Sequence, residues 1–116
     1  MNLNEYAKEV HTANKKWWFD INSGKLLQRN FGELIALCHS ELSEALEGHR
    51  KSLMDDKLPN RQMVEVELVD CLIRIFDIGG AFGMDFEGAF QEKMAFNAKR
   101  EDHSREHRLS EHGKKY

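Results

Sequence analysis

The chain has 116 residues, a size that fits one domain with a single hydrophobic core. Charged residues make up 32% and hydrophobic residues 41%, there is one proline, and the formal net charge is −3 with the six histidines neutral. This balance is typical of a soluble helical protein and argues against general nucleic-acid binding. No apolar run approaches the roughly 18 residues that span a bilayer. The N-terminus lacks a signal-peptide pattern, so we expect a cytoplasmic protein.

The first 30 residues predict a helix followed by a loop. The helix is expected from Asn4 to about Trp18. The polar stretch from Asp20 to Asn30 contains the run Asn22-Ser23-Gly24, which is typical of loops.

The second predicted helix runs from about Asn30 to Lys51 and contains the acidic motif Glu41-Leu-Ser-Glu44. Apolar residues recur along it at alternating spacings of three and four, which indicates one buried face. Glu41 lies inside this apolar stripe and Glu44 lies at its border. The stripe consists of Leu34, Leu37, Cys38, Leu42 and Ala45.

Pro59 is expected to open the third helix, because proline suits the first helical position. The helix should end at about Asp77 or Ile78, before Gly79-Gly80. A second acidic motif, Glu67-Leu-Val-Asp70, lies within it, 22 residues after the first motif. The two carboxylates are expected at the edge of an apolar stripe formed by Val64, Leu68, Cys71, Leu72 and Ile75.

Two acidic motifs on core-forming helices predict a divalent metal site. Residues three apart share a helix face, so each motif presents two carboxylates side by side. If the two helices pack against each other, partly buried carboxylates would repel unless a cation compensates them. Hard oxygen ligands suit Mg²⁺ or Mn²⁺. The alternative is that all four are solvent-facing charges on amphipathic helices.

A fourth helix is predicted from Phe86 to about Arg100, with Asp85 as its N-cap. Its inner face changes from apolar at its start to polar at Lys93, Asn97 and Arg100, which are spaced i, i+4 and i+7. A polyphosphate would give an ammonium, an amide and a guanidinium a common partner. The alternative is that the helix leaves the bundle at Lys93. Four helices without a credible strand predict an all-α, four-helix bundle.

The remaining features indicate no further chemistry. Cys38 and Cys71 fall on apolar stripes, where free cysteine behaves as a small hydrophobic residue, so we expect no disulfide. The tail over 101–116 is polar, and histidines such as its His103, His107 and His112 are more often solvated than bound to metal.

Taken together, these motifs resemble the MazG-like, all-α nucleoside triphosphate pyrophosphohydrolases. The resemblance covers about Phe31 to the C-terminus, and the stretch from Leu37 to Glu47 is especially characteristic. It implies one domain over 1–116, with an N-terminal helix and loop over 1–30, catalytic helices over 31–100 and a polar tail. The matching motifs are Glu41-x-x-Glu44, Glu67-x-x-Asp70, Lys93-x-x-x-Asn97-x-x-Arg100 and the terminal His112-Gly113-Lys114-Lys115-Tyr116.

The resemblance further implies hydrolysis of a nucleoside triphosphate, deoxynucleotides included, to the monophosphate and pyrophosphate, as in nucleotide-pool house-cleaning. Mg²⁺, with Mn²⁺ as a substitute, would be held by the four acidic residues, and Lys93 and Asn97 would contact phosphate or order the site. Assembly as a homodimer or homotetramer is also implied. The metal ligands would be Glu41, Glu44, Glu67 and Asp70.

Base recognition has to come from outside the acidic helices. Trp17, Trp18 and His11 are the candidates, with Trp18 ahead of the other two, since aromatic faces stack on nucleobases. Paired tryptophans are also common in a bundle core or an oligomer contact.

Two other classes of protein compete with an enzyme of this kind. A di-iron carboxylate bundle requires Glu-x-x-His pairs, and the chain contains none. A catalytically silent binding or regulatory bundle, with its acidic edge paired to a basic partner, stays open.

Overall fold

A computed structural model describes residues 1–100 and Leu109. Within these residues the protein has four α-helices and no β-strand, only two isolated bridges, which confirms the all-α class. None of the described helices combines the length and the apolar character needed to cross a bilayer. The predictions for the tail over 101–116, Leu109 apart, lie outside the described residues. The helices are α1 (Leu3–Asn14), α2 (Phe31–Arg50), α3 (Met63–Phe82) and α4 (Phe86–Lys99).

The chain divides into two compact units, Met1–Met84 and Asp85–Tyr116. In the first unit α3 packs against both α1 and α2. The described part of the second unit consists mainly of α4, whose N-terminus is capped by the Asp85 side chain at 2.9 Å from the Gly88 backbone nitrogen. The bounds predicted for this helix are confirmed within one residue, whereas the single domain and the four-helix bundle stay predictions.

Helix α1 begins with a capping box in which the Asn2 side chain accepts from the Glu5 backbone nitrogen at 2.9 Å. The α-helix ends at Asn14, and a 3₁₀ turn over Lys15–Trp18 follows it. The expectation of one helix to Trp18 is corrected in this respect. The predicted loop is irregular, and a bridge between Phe19 and Leu26 closes it.

Helix α2 has the predicted bounds and begins after its N-cap Asn30, whose side chain accepts from the Glu33 backbone nitrogen at 3.0 Å. Its buried residues are spaced by three and four, as expected for a face that packs on a neighbouring helix. Glu41 is one of them, as predicted, whereas Leu42 of the predicted stripe is 44% exposed and does not belong to the buried face. The buried residues are Leu34, Cys38, Glu41, Ala45 and Gly48.

Helix α3 starts later than predicted, at Met63 rather than Pro59. Pro59 instead occupies a turn in which the Arg61 backbone nitrogen donates to the Leu58 carbonyl at 2.9 Å. Proline suits such a turn as well as a helix start, because its φ angle is fixed near the value that both require. The buried Asp55 carboxylate stabilises this loop by accepting from two backbone nitrogens.

Helix α3 also ends later than predicted, because it continues through Gly79-Gly80 to Phe82. Gly83, with a φ of 61°, terminates it in the left-handed conformation. At Gly80 a β-carbon would clash with the backbone oxygen of Ala7 and lie 2.5 Å from the His11 β-carbon. The glycine therefore permits a close approach of α1 and is not a helix stop.

The core of the first unit is formed by side chains from α2, α3 and the 3₁₀ turn. Both cysteines are buried and unpaired, as predicted. The buried cluster consists of Trp18, Leu34, Cys38, Cys71 and Ile78. The apolar stripe predicted for α3 is corrected: Leu68, Leu72 and Ile75 are 50%, 46% and 39% exposed, and Glu67 is buried instead.

Candidate metal centre

Helices α2 and α3 bring carboxylates from both acidic motifs together in the interior of the first unit. Glu41 follows Leu34 and Cys38 on the buried face of α2, and Glu67 precedes Cys71 on the buried face of α3. Each glutamate is only 9% exposed. Each helix thus has one glutamate of its acidic motif on its buried face.

Three carboxylates form a compact group that could hold a cation. One oxygen atom from each of Glu41, Glu67 and Asp70 lies within 4.8 Å of the others. Carboxylate oxygens in this number fit a hard divalent ion that completes its coordination with water or substrate. The three carboxylates line a cavity of about 800 Å³. The fourth predicted ligand, Glu44, also lines this cavity, but it is exposed and lies outside the group of three.

The pKa of Glu67 lies far above its ordinary value. Burial raises the pKa of Glu67 to about 8, and the neighbouring carboxyl groups of Glu41 and Glu44 add to the shift. Its Oε2 atom is buried and has no hydrogen-bond partner among the described residues. Burial also raises the pKa of Asp70, with the charges of Glu41 and Asp55 as further causes. Without a cation, Glu67 therefore keeps its proton up to about pH 8.

Arg74 supplies the one cationic contact to the group among the described residues. Its Nε atom donates to Glu41 Oε1 at 2.9 Å. Burial alone would raise the pKa of Glu41, but hydrogen bonding, first of all from Arg74, lowers it below its ordinary value. Sequence reasoning missed Arg74, although it follows Asp70 by four positions and Glu67 by seven, which places it on the same face.

A second cavity, of about 550 Å³, adjoins the carboxylate group. We call it the arginine cavity, because two guanidinium groups border it. It shares Glu41 and Asp70 with the carboxylate group, so a molecule bound here would lie next to these two carboxylates. Its polar and aromatic lining includes Trp17, Arg29, Glu41, Asp70, Arg74 and Asp77.

The aromatic residues proposed for base contact take two different places. Trp17 is 63% exposed and lines the arginine cavity. Trp18 is 6% exposed, and its Nε1 atom donates to the Asp77 carboxylate at 3.0 Å. The His11 Nδ1 atom lies 2.7 Å from the same carboxylate. Trp18 and His11 therefore connect the N-terminal segment to α3 through Asp77. Of the three residues, Trp17 has the ring that is accessible to a base.

In the second unit, two cationic side chains near the end of α4 contact one aromatic ring. The Lys93 ammonium lies 4.9 Å from the Phe96 ring centroid, and the Arg100 guanidinium lies 5.9 Å from it. Asn97 Oδ1 is buried without a hydrogen-bond partner among the described residues. That these three residues contact phosphate stays a prediction.

No family model, no curated protein and no solved structure matches this chain. The functional assignment therefore depends on the residues of the site and their geometry. The strongest of these observations is the group of three carboxylates with an unpartnered, buried glutamate oxygen.

Proposed function

We propose that the protein is a Mg²⁺-dependent, MazG-like nucleoside triphosphate pyrophosphohydrolase that releases a nucleoside monophosphate and pyrophosphate. The observation that supports this proposal best is the approach of Glu41, Glu67 and Asp70 oxygens to within 4.8 Å. A structural role for so many carboxylates is unfavourable, since burying like charges costs several kcal/mol without a cation. A bound divalent ion would neutralise phosphate oxygens and lower the pKa of an attacking water.

The assignment of roles follows the position of each side chain. Glu41, Glu67 and Asp70 would hold the ion, with Mn²⁺ as a substitute for Mg²⁺, and Glu44 would approach from the rim of the cavity. Trp17 is the better stacking residue for the base, because its ring is exposed on the arginine cavity whereas Trp18 is buried. Lys93, Asn97 and Arg100 keep their proposed roles toward phosphate, and Lys93 keeps its proposed catalytic role as well.

Exposed apolar side chains support the proposed dimer or tetramer. They recur at helical spacing along one side of α2 and one side of α3, the two packed helices that we call the α2–α3 hairpin. In the single chain these side chains are about half exposed. Stable homo-oligomer interfaces are usually apolar. The residues are Leu42 and Leu46 on α2, and Leu68, Leu72 and Ile75 on α3. We propose a cytoplasmic location, which agrees with two unpaired cysteines.

The proposal is tested by measuring pyrophosphate release from canonical and modified nucleoside and deoxynucleoside triphosphates, with Mg²⁺ or EDTA. We expect release only with the metal and a loss of at least two orders of magnitude in Asp70→Asn. A matched control is Glu65→Gln, an exposed carboxylate on the same helix as Asp70. No release from any nucleotide, with Mg²⁺ bound to the protein, would instead favour the silent binding or regulatory bundle.

A further inference from the structure

The arginine cavity contains a guanidinium that forms no ion pair or hydrogen bond among the described residues. Arg29 stacks on Trp18, with its Cζ atom 5.0 Å from the ring centroid, and it lines the cavity. Since Trp18 is buried and hydrogen-bonded to Asp77, the ring is a rigid support. The stacking orders the guanidinium and leaves its N–H groups available to a ligand.

The second guanidinium is only partly used within the protein. Arg74 donates to Glu41 through Nε, and its terminal nitrogens form no hydrogen bond among the described residues. Its side chain is 40% exposed, and it lines the same cavity. A guanidinium has five donors in a fixed plane, so Arg74 can hold Glu41 and bind an anion at the same time.

The charge of the cavity depends on the metal. Glu41, Asp70 and Asp77 oppose two guanidiniums in the cavity lining. With the adjoining Glu67 carboxylate included, the formal charge is −2, and a divalent ion on Glu41, Glu67 and Asp70 would change it to 0. Asp77 also competes little for the arginines, because it already accepts from Trp18 and His11. The ion would therefore remove the net negative charge that opposes an anion, and the two guanidiniums would remain to bind it.

We propose that Arg29 and Arg74 bind the phosphate chain of the substrate in the arginine cavity, next to the metal-binding carboxylates. This assignment rests on the proposed function and adds a phosphate site within the first unit to the residues of α4. Paired guanidiniums recognise phosphate oxygens through several charge-assisted hydrogen bonds. The cavity volume of about 550 Å³ lies in the range of small-molecule sites.

The proposal is tested by calorimetric titration of inorganic pyrophosphate into the Mn²⁺-loaded protein. Arg29→Gln and Arg74→Gln are each expected to weaken the pyrophosphate Kd about tenfold or more, and Arg29→Lys should recover part of the loss because it retains the charge. Mn²⁺ binding in the absence of pyrophosphate should stay within about twofold in Arg29→Gln. The control is Arg61→Gln, an exposed arginine paired with Glu65 on the same unit, which should leave the pyrophosphate Kd unchanged.

The outcomes separate this proposal from the proposed function. An unchanged pyrophosphate Kd in both glutamine variants, with Mn²⁺ bound, would overturn it even if the enzyme hydrolyses nucleotides with a normal KM. Weakened pyrophosphate binding without any nucleotide hydrolysis would support it and refute the pyrophosphohydrolase. A change in Mn²⁺ affinity alone in Arg74→Gln would show that this arginine only positions Glu41, which also overturns its role. If Arg74→Gln fails to fold, the Arg29 variants decide, since the Arg29 side chain forms no hydrogen bond within residues 1–100 that its replacement would remove.

Discussion

Replacement of Glu67 by glutamine is expected to stabilise the metal-free protein, and by more as the pH rises. The pKa of Glu67 is raised from an ordinary 4.5 to about 8, chiefly by burial. Below pH 4.5 the carboxyl group is protonated in both folded and unfolded chains and contributes no difference. Above it the unfolded chain loses the proton while the folded chain keeps it to about pH 8, so the free energy of unfolding falls through this window.

The size of this fall follows from the pKa shift. Each pKa unit corresponds to about 1.4 kcal/mol, so a shift from 4.5 to about 8 corresponds to roughly 4 to 5 kcal/mol in EDTA. That is a large share of the roughly 5–15 kcal/mol that stabilises a typical domain. The amide of Glu67→Gln is neutral at every pH, and it can donate to the Glu41 carboxylate. The variant should match the wild type at pH 4.5 and exceed it by several kcal/mol at pH 8.

Urea unfolding from pH 4.5 to 8.5 in EDTA, followed by tryptophan fluorescence, measures this difference. Glu65→Gln is the matched control, because Glu65 is exposed on the same helix, and its effect should stay within about 0.5 kcal/mol. Added Mg²⁺ should restore the wild type at pH 8 because the ion compensates the charge. A fall in the variant as steep as that in the wild type would refute the reasoning.

The remaining predictions address separate parts of the molecule. Glu41→Gln should lower Mg²⁺-dependent pyrophosphate release by at least about two orders of magnitude, and near-normal release would exclude it as a ligand. Gly80→Ala should lower the free energy of unfolding by about 3 kcal/mol in urea, since a β-carbon there meets the backbone of α1. Asp77→Asn should lower the free energy of unfolding by about 1.5–3 kcal/mol in the same assay, because the charged Asp77 carboxylate accepts hydrogen bonds from His11 and Trp18. Leu72→Glu should yield a monomer in sedimentation equilibrium where the wild type is at least a dimer; a monomeric wild type would contradict the proposed interface.

The sequence predicted the features of the site that depend on local periodicity. The bounds of α2 and the burial of Glu41 followed from apolar residues at spacings of three and four. The proximity of Glu41, Glu67 and Asp70 followed once two such helices were assumed to pack together. Glu44 was harder to place, because a residue at the border of a stripe can turn toward either the cavity or solvent.

The features that the sequence did not predict depend on contacts between distant residues. Arg74 pairs with Glu41 across 33 positions. Its spacing from Glu67 and Asp70 places it on the acidic face of α3, but its partner on α2 cannot be read from that spacing. Gly79-Gly80 indicated a helix end because the close approach of α1 cannot be read from α3 alone. Trp17 and Trp18 are the same residue type at adjacent positions, so the sequence does not indicate which of them is buried. The 3₁₀ turn places the Trp18 ring in the core and the Trp17 ring at the arginine cavity.

The two buried cysteines provide an intrinsic kinetic probe of the site. Cys38 and Cys71 come from facing helices and lie within one turn of Glu41 and Glu67, respectively. Burial raises the pKa of the Cys38 thiol, so its reactive thiolate is scarce while the core stays closed. We expect a thiol reagent to label these residues when α2 and α3 separate, because both are buried between elements of the core. The labelling rate of the native sequence therefore measures how often the hairpin opens, and its decrease on adding Mg²⁺ would time the closing of the hairpin around the ion.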